Sequence, residues 1–202
     1  MSRVLLVASS FAPNVGGLQT VTAQLARGLR ARGIAVEVLT NKYPRALPAR
    51  ENISGVPVQR LNFLLPRWSD LRRGRADLFL AGLWYAPVTM LRLLDAIRRF
   101  KPDAVNLHFV GAPAFFVLVA HWFLKFRLVV SLHGDDAQGL TRRGKFDRWV
   151  FHQLVTRADA LTAPSQSLMD VANRDVRIAP DRACVIYNAV ETTSLPMVKT
   201  LA

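Results

Sequence analysis

Residues 3–40 read RVLLVASSFAPNVGGLQTVTAQLARGLRARGIAVEVLT. Val4 to Ala8 is an apolar run without polar alternation, the pattern of a strand covered on both faces. Leu18, Val21, Leu25 and Leu29 then recur at helical spacing, with Arg27, Arg30 and Arg32 off that stripe. Gly33 stands where a helix C-terminal cap is expected. Ala35 to Thr40 is a second apolar run. Strand, glycine-containing loop, helix and strand in that order are the building unit of a parallel α/β sheet.

The same alternation continues along the chain. Val56 to Asn62 is predicted as the third strand, and Leu78 to Phe100 as mostly helix, broken near Pro87. Further strands are expected at Ala104–Leu107, Arg127–Leu132, Ala160–Ala163 and Ala183–Tyr187. Helices are expected at Ala114–Leu124, Phe146–Thr156 and Ser167–Asn173. Asn41 to Asp77 differs: it holds four prolines and eight Lys or Arg against three acids, and reads as irregular loops around one strand. The pattern specifies an α/β fold with a doubly wound, mostly parallel, Rossmann-like sheet and right-handed crossovers. Ligands in such sheets bind beyond the carboxyl ends of the strands, so the residues after each strand are where chemistry is to be sought.

Composition narrows the classes. With 51% hydrophobic and 20% charged residues the chain is globular rather than disordered. The single Cys184 excludes a disulfide framework and a cysteine zinc cluster within one chain. The net charge of +13 comes from 22 Arg and only 5 Lys. It points to an anionic partner or surface, or merely to a genome that favours arginine codons. No helix-turn-helix, RRM or KH pattern accompanies it, and the basic residues are spread out, so nucleic acid is not expected as a partner. The N-terminus lacks a secretion signal, because Pro13-Asn14 and Gly16-Gly17 soon interrupt its apolar run; a cytoplasmic protein is expected. Residues 104–124 carry no Asp, Glu, Lys or Arg. Asn106, His108, Gly111, Pro113 and His121 interrupt them, which favours strand, turn and buried helix over a membrane span.

Three post-strand segments draw attention. Gly16-Gly17 precede the first helix, where free N–H groups and the helix dipole favour an anion; the loop is neither a dinucleotide fingerprint nor a Walker loop, and a tight turn would explain it equally. His108 follows the fourth strand, as a site residue or as a core histidine satisfied by backbone. His133-Gly134-Asp135-Asp136 follow the fifth. A histidine with carboxylates two and three residues on can be oriented and kept basic by one of them. His121 and His152 lie in apolar helix patterns and read as structural. Asp135-Asp136 lack partner carboxylates at loop spacing, so a hydrogen-bonded turn fits better than a metal site.

Five landmarks together resemble the family 4 glycosyltransferases. They are Pro13–Gln19 with the helix that follows and Val36–Thr40; Lys101–His108; Val129–Asp135; Ala158–Ser165; and Val185–Glu191, similar to that family's "iyNGvD" before its interdomain hinge. The resemblance spans residues 3–191. It implies the N-terminal, acceptor-binding domain of the GT-B architecture over residues 1–191, and retaining transfer of a sugar from a nucleotide sugar, without cofactor or metal. It places Gly16 and Gly17 near the donor phosphates and sugar, and His133 against the transferred sugar as the catalytic residue. His108, Asp135 and Ser165 fall in the acceptor cleft, and Asn188 in the hinge. Ala189 replaces the usual Gly of the hinge, and Asn106 stands where many members carry a first His. The tail 192–202 does not match, and the C-terminal nucleotide-sugar domain with its paired glutamates is missing. The chain therefore reads as a cut piece, a truncated reading frame, or one subunit of a split enzyme.

The expected function is the acceptor half of a glycosyltransferase acting on a cell-envelope glycan or lipid-linked acceptor, inactive alone, with the missing domain or a second subunit as partner. The alternative is a non-catalytic half that docks to a membrane or partner chain. Arg67, Trp68, Arg72, Arg73 and Arg75 precede the apolar run Leu78–Tyr85. Cations and rings so placed suit the headgroup level of an anionic membrane, so a peripheral location at the inner membrane face is expected.

Overall fold

The computed structural model describes residues 1–188; the hinge's Ala189 and the tail 192–202 lie outside the described residues. Eight strands form one sheet: β1 (Arg3–Ala8), β2 (Ala35–Asn41), β3 (Arg50–Ile53), β4 (Val56–Leu61), β5 (Ala104–His108), β6 (Arg127–Ser131), β7 (Ala160–Ala163) and β8 (Ala183–Val185). Their order is β3-β4-β2-β1-β5-β6-β7-β8. Every pairing is parallel except β3 with β4. The chain winds outward from β1 through β2 to β4, then returns to β1 and winds the other way. This puts a topological switch between β1 and β5, where the loops after the two strands diverge and leave a crevice.

The helices are α1 (Gly17–Ala31), α2 (Trp68–Arg72), α3 (Ala76–Phe100), α4 (Ala114–Phe123), α5 (Asp135–Gln138), α6 (Lys145–Arg157) and α7 (Gln166–Asp175). One face of the sheet packs through Leu5, Val7, Val105, Leu107, Leu128 and Val130 against α3, α4, α6 and α7. The other face packs through Leu6, Val36, Val38, Val56 and Val58 against Ala26 of α1 and its neighbours. Among the described residues, the second face of β5, β6 and β7 beyond α1 is only partly covered. There Thr162 donates to the Ser131 hydroxyl, which donates to Asn106 Oδ1, each at 2.9 Å.

The basic segment 41–77 is more ordered than its composition suggests. Arg50–Ile53 pairs antiparallel with β4 through the two-residue turn Ser54-Gly55, with φ of 50° and 83°. Both values are left-handed, as a type I′ hairpin requires. Arg60 of β4 is 2% exposed; it donates to the carbonyls of Ala12 (2.6 Å) and Pro48 (3.2 Å) and ion-pairs with Glu51. It thereby ties the segment to the loop after β1.

Helix α3 is continuous through Pro87. The proline leaves the Leu83 carbonyl without its i+4 donor, but both residues are on the exposed side, where solvent can serve that carbonyl. Gly82 is required, since a Cβ there would collide with the backbone of Leu65 and Pro66. Residues 104–124 form β5, a turn and α4, which is buried at Ala114, Phe116, Val117, Leu118 and Ala120 and exposed at Trp122 and Phe123. Among the described residues the helix that is long and apolar enough to cross a membrane is α3, whose most apolar stretch is largely exposed.

Candidate functional site

The parallel register sets Ala8 level with His108, and His108 level with Ser131. The loops after β1, β5 and β6 therefore open side by side at the carboxyl edge. The contact across the switch is close: a Cβ on Gly111 would lie 2.7 Å from the Ser9 hydroxyl. The loop after β1 is fastened from within, because Ser10 Oγ accepts from Asn14 Nδ2 (3.1 Å) and Gln19 Nε2 (3.0 Å). Gly16 caps α1 with extended backbone, and the first turn has neither a side-chain cap nor an acidic residue. Its amides and the helix dipole thus remain available to an anion. At Gly17 a Cβ would meet nothing within 4 Å, so packing does not demand glycine there.

His108 is 2% exposed, and its Nδ1 lies 3.1 Å from His133 Nε2. It is satisfied by the second histidine rather than by backbone; its Nε2 is buried without a partner. Burial, helped by the neighbouring His133, lowers the His108 pKa to about 3. His133 lies at the edge of a cavity of about 350 Å³ with His108, Asn106, Ser131 and Thr162, opposite Val21 and Gln24 of α1. Burial lowers its pKa too, against a smaller upward pull from Asp136. The expectation that a carboxylate keeps this histidine basic is therefore corrected. Both rings are neutral at neutral pH: at His133 the desolvation penalty exceeds the attraction of Asp136, and at His108 desolvation and the neighbouring ring act in the same direction.

The carboxylate that matters is Asp136, which sequence reasoning passed over in favour of Asp135. It is fully buried. Its oxygens accept from the backbone N–H of Gly134 (2.9 Å), His133 (3.0 Å) and Val110 (3.3 Å). It orients the histidine through the backbone rather than the ring, and it fastens the loop after β5 to the loop after β6. Gly134, with φ of 134°, makes the turn that lets both amides point inward. Asp135 is exposed and contributes its carbonyl to Arg143 Nη2 at 3.3 Å. Arg143 Nη1 donates to the Val110 carbonyl at 2.6 Å, locking the same two loops. The only sequence signal for Asp136 was its spacing of three from His133.

The remaining residues fall as follows. Ser165 caps α7, its hydroxyl accepting from the Leu168 N–H at 3.2 Å, which occupies it structurally at the end of β7. Asn188 is exposed at the end of the described chain and lines the histidine cavity with Ile186 and Tyr187. Arg67 pairs with Asp147 at 3.2 Å and Arg75 with Asp77 at 3.1 Å, while Arg72, Arg73 and Trp68 are exposed. His121 packs edge-on against Phe126 as a structural residue. His152 is exposed, not structural, because its side of α6 faces solvent. Among the described residues no group of three or more His, Cys, Asp or Glu could hold a metal ion.

The doubly wound, mostly parallel eight-stranded sheet flanked by helices is a Rossmann-like domain of the GT-B class. The chain belongs to glycosyltransferase family 4, whose family model matches residues 15–194. It is 30% identical over 177 residues to a GDP-mannose-dependent alpha-mannosyltransferase of Mycolicibacterium smegmatis, covering 83% of this chain and 43% of that protein. It is 44% identical over 64 residues to a GDP-mannose:cellobiosyl-diphosphopolyprenol alpha-mannosyltransferase of Komagataeibacter xylinus, covering 29% and 16%. The fold resembles sucrose-phosphate synthase of Thermosynechococcus elongatus (TM-score 0.65, 14% identity, 93% of this chain and 48% of that one). It also resembles Anabaena HepE in complex with UDP-glucose (TM-score 0.62, 15% identity, 95% and 45%). The chain spans less than half the length of the curated relatives it matches.

Proposed function

We propose that this chain forms the acceptor side of a retaining glycosyltransferase that moves mannose from GDP-mannose to a hydroxyl of a lipid-linked cell-envelope glycan at the membrane surface. The observation that supports this reading is that the loop leading to the bare α1 terminus and the loops carrying the linked His108–His133 pair follow neighbouring strands at the same carboxyl edge of the sheet. In the reaction, the bond from the mannose anomeric carbon to the diphosphate oxygen breaks and a bond to the acceptor oxygen forms on the same face. The acceptor proton leaves with the departing phosphate. The α1 amides are suited to the negative charge that develops on the diphosphate. With one ring nitrogen of His133 engaged by His108, the other is left to hydrogen-bond the sugar. A neutral ring orients hydroxyls and does not act as a cation, so its part is positioning the transferred sugar. Nucleotide recognition falls to a second domain, as part of the same protein or as a partner chain. GDP-mannose is chosen because both curated relatives are named for it.

The exposed apolar residues of α3, Leu80, Leu83 and Trp84, beside Arg72 and Arg73 of the α2 segment, support the peripheral membrane location. The experiment is label transfer by the whole protein from radiolabelled GDP-mannose, with UDP-glucose as rival donor, to a prenyl-diphosphate oligosaccharide. Label from GDP-mannose alone is expected; label from UDP-glucose alone, or from neither, would overturn the reading.

A further inference from the structure

A groove runs from α2 to the carboxyl edge of the sheet. Its outer part, about 760 Å³, is walled by Leu65, Pro66, Trp68, Ala86, Phe115 and Phe146. Its inner part, about 340 Å³, shares Leu65, Phe115 and Phe146 and ends at Val110, Gly111 and Arg143. Val110 lies two residues beyond His108, and its N–H is held by the same Asp136 carboxylate that holds His133. The groove's inner end therefore lies at the loop after β5, which Asp136 fastens to the loop that carries His133. At its outer mouth the Trp68 ring packs 5.3 Å from Phe79, which continues the apolar wall into the exposed face of α3.

Charge in the groove is distributed unevenly. Arg67 is neutralised by Asp147. Arg73 and Lys145 line the outer part, are exposed, and make no ion pair among the described residues. Rings 5.4 Å apart (Phe115 and Phe146) with two free cations beside them form an amphipathic slot: one side suits a single unsaturated chain, the other an anion with charge to spare. The inner end offers backbone at Gly111 and a fixed guanidinium, groups that suit sugar hydroxyls.

We propose that this groove binds the diphosphate and first prenyl units of a prenyl-diphosphate-linked sugar, with the sugar at the inner end beside Gly111 and Arg143 and the rest of the chain leaving over α3. The inference rests on the lipid-linked acceptor reading above and assigns the residues that hold that acceptor. A prenyl diphosphate joins one chain to two phosphates, whereas a phospholipid joins two chains to one phosphate, so the two free cations favour the former.

The test is a vesicle-free titration of the protein with farnesyl diphosphate, read by tryptophan fluorescence and calorimetry. Inorganic pyrophosphate, farnesol, dioctanoylphosphatidylglycerol and GDP-mannose are the comparison arms. Farnesyl diphosphate should bind at least about tenfold more tightly than pyrophosphate, farnesol or the phospholipid, the scale of one added charge-assisted or aromatic contact. GDP-mannose should not displace it. Phe146→Asp, and Arg73→Glu with Lys145→Glu, should each weaken binding by about tenfold or more, whereas Phe123→Ser, an exposed change outside the groove, should not. Equal binding of pyrophosphate, tighter binding of the phospholipid, displacement by GDP-mannose, or indifference to the groove variants would overturn the proposal. Because no transfer is measured, the two readings fail separately. Farnesyl diphosphate bound in the groove without mannose transfer removes the function and leaves the site; transfer with an indifferent groove does the reverse.

Discussion

Asp136 holds three backbone N–H groups from two loops on one buried carboxylate. Asp136→Ala would leave those amides without partners, each costing about 1–3 kcal/mol. A loss of roughly 3 kcal/mol or more is expected from urea unfolding, with partial recovery in Asp136→Asn, which keeps one acceptor oxygen. Unchanged unfolding in the alanine variant would show that the carboxylate does not fasten the loops. Histidine NMR provides a second readout: without the Asp136 charge, the His133 pKa should fall further, since that charge pulls it upward. His108 makes a different prediction. Its folded pKa of about 3 lies below the ordinary 6.5, so the native state takes up fewer protons than the unfolded chain between those values. The contribution is present in full above about pH 6.5 and is lost as pH falls toward 3, on the order of a few kcal/mol. Melting temperature measured from pH 7 down to 4.5 should therefore fall less steeply in His108→Gln than in the wild type; parallel curves would mean that His108 is not buried as a neutral ring. At this scale the sequence showed where to look and not what each residue does. His108 and His133 stood out because they end apolar runs. Whether Asp135 or Asp136 turns inward depends on the φ of Gly134, which no pattern of residue types reveals.

At the scale of elements, α3 divides into two functions along its length. Its second half buries Leu93, Ala96 and Ile97 against the sheet. Leu93→Ala should cost about 2–5 kcal/mol, as for other fully buried leucines. Its first half exposes Leu83 and Trp84, at 51% and 71%. The double change Leu83→Ser and Trp84→Ser should leave stability within about 0.5 kcal/mol. It should also abolish sedimentation with anionic vesicles, which the wild type should show and which neutral vesicles or molar salt should not support. Sedimentation that survives the double change, or that ignores lipid charge, would place the membrane contact elsewhere or nowhere. The strands of the parallel sheet were legible because each is a short apolar run bounded by turn residues. Strand β3 was not: Arg50-Glu51-Asn52-Ile53 is an edge strand, exposed or half-exposed along its length, and carries no burial signal. Its one local sign was Ser54-Gly55. The break expected at Pro87 did not occur because one lost hydrogen bond on the exposed side of a long helix is outweighed by the packing of its other side.

For the whole molecule, the governing feature is the asymmetry of the two sheet faces. Among the described residues α3, α4, α6 and α7 pack on one face, whereas α1 packs on the other, where the histidine cavity is lined by α1, Ile186 and Tyr187. On this account the described domain meets the donor through its phosphates and sugar and leaves base and ribose to other contacts. GDP-mannose should therefore bind this chain more weakly than about 100 μM in calorimetry; a low-micromolar dissociation constant would show that nucleotide recognition is already present here. The central claim is that His133, held by His108 and the Asp136-anchored loop, positions the transferred sugar. Its most direct test is the turnover of His133→Ala in the whole protein, at saturating GDP-mannose and lipid-linked acceptor, with folding checked by its melting temperature. The account predicts a fall of roughly a hundredfold or more, the scale for one group placed to serve the transition state; turnover equal to the wild type in a folded variant would contradict it.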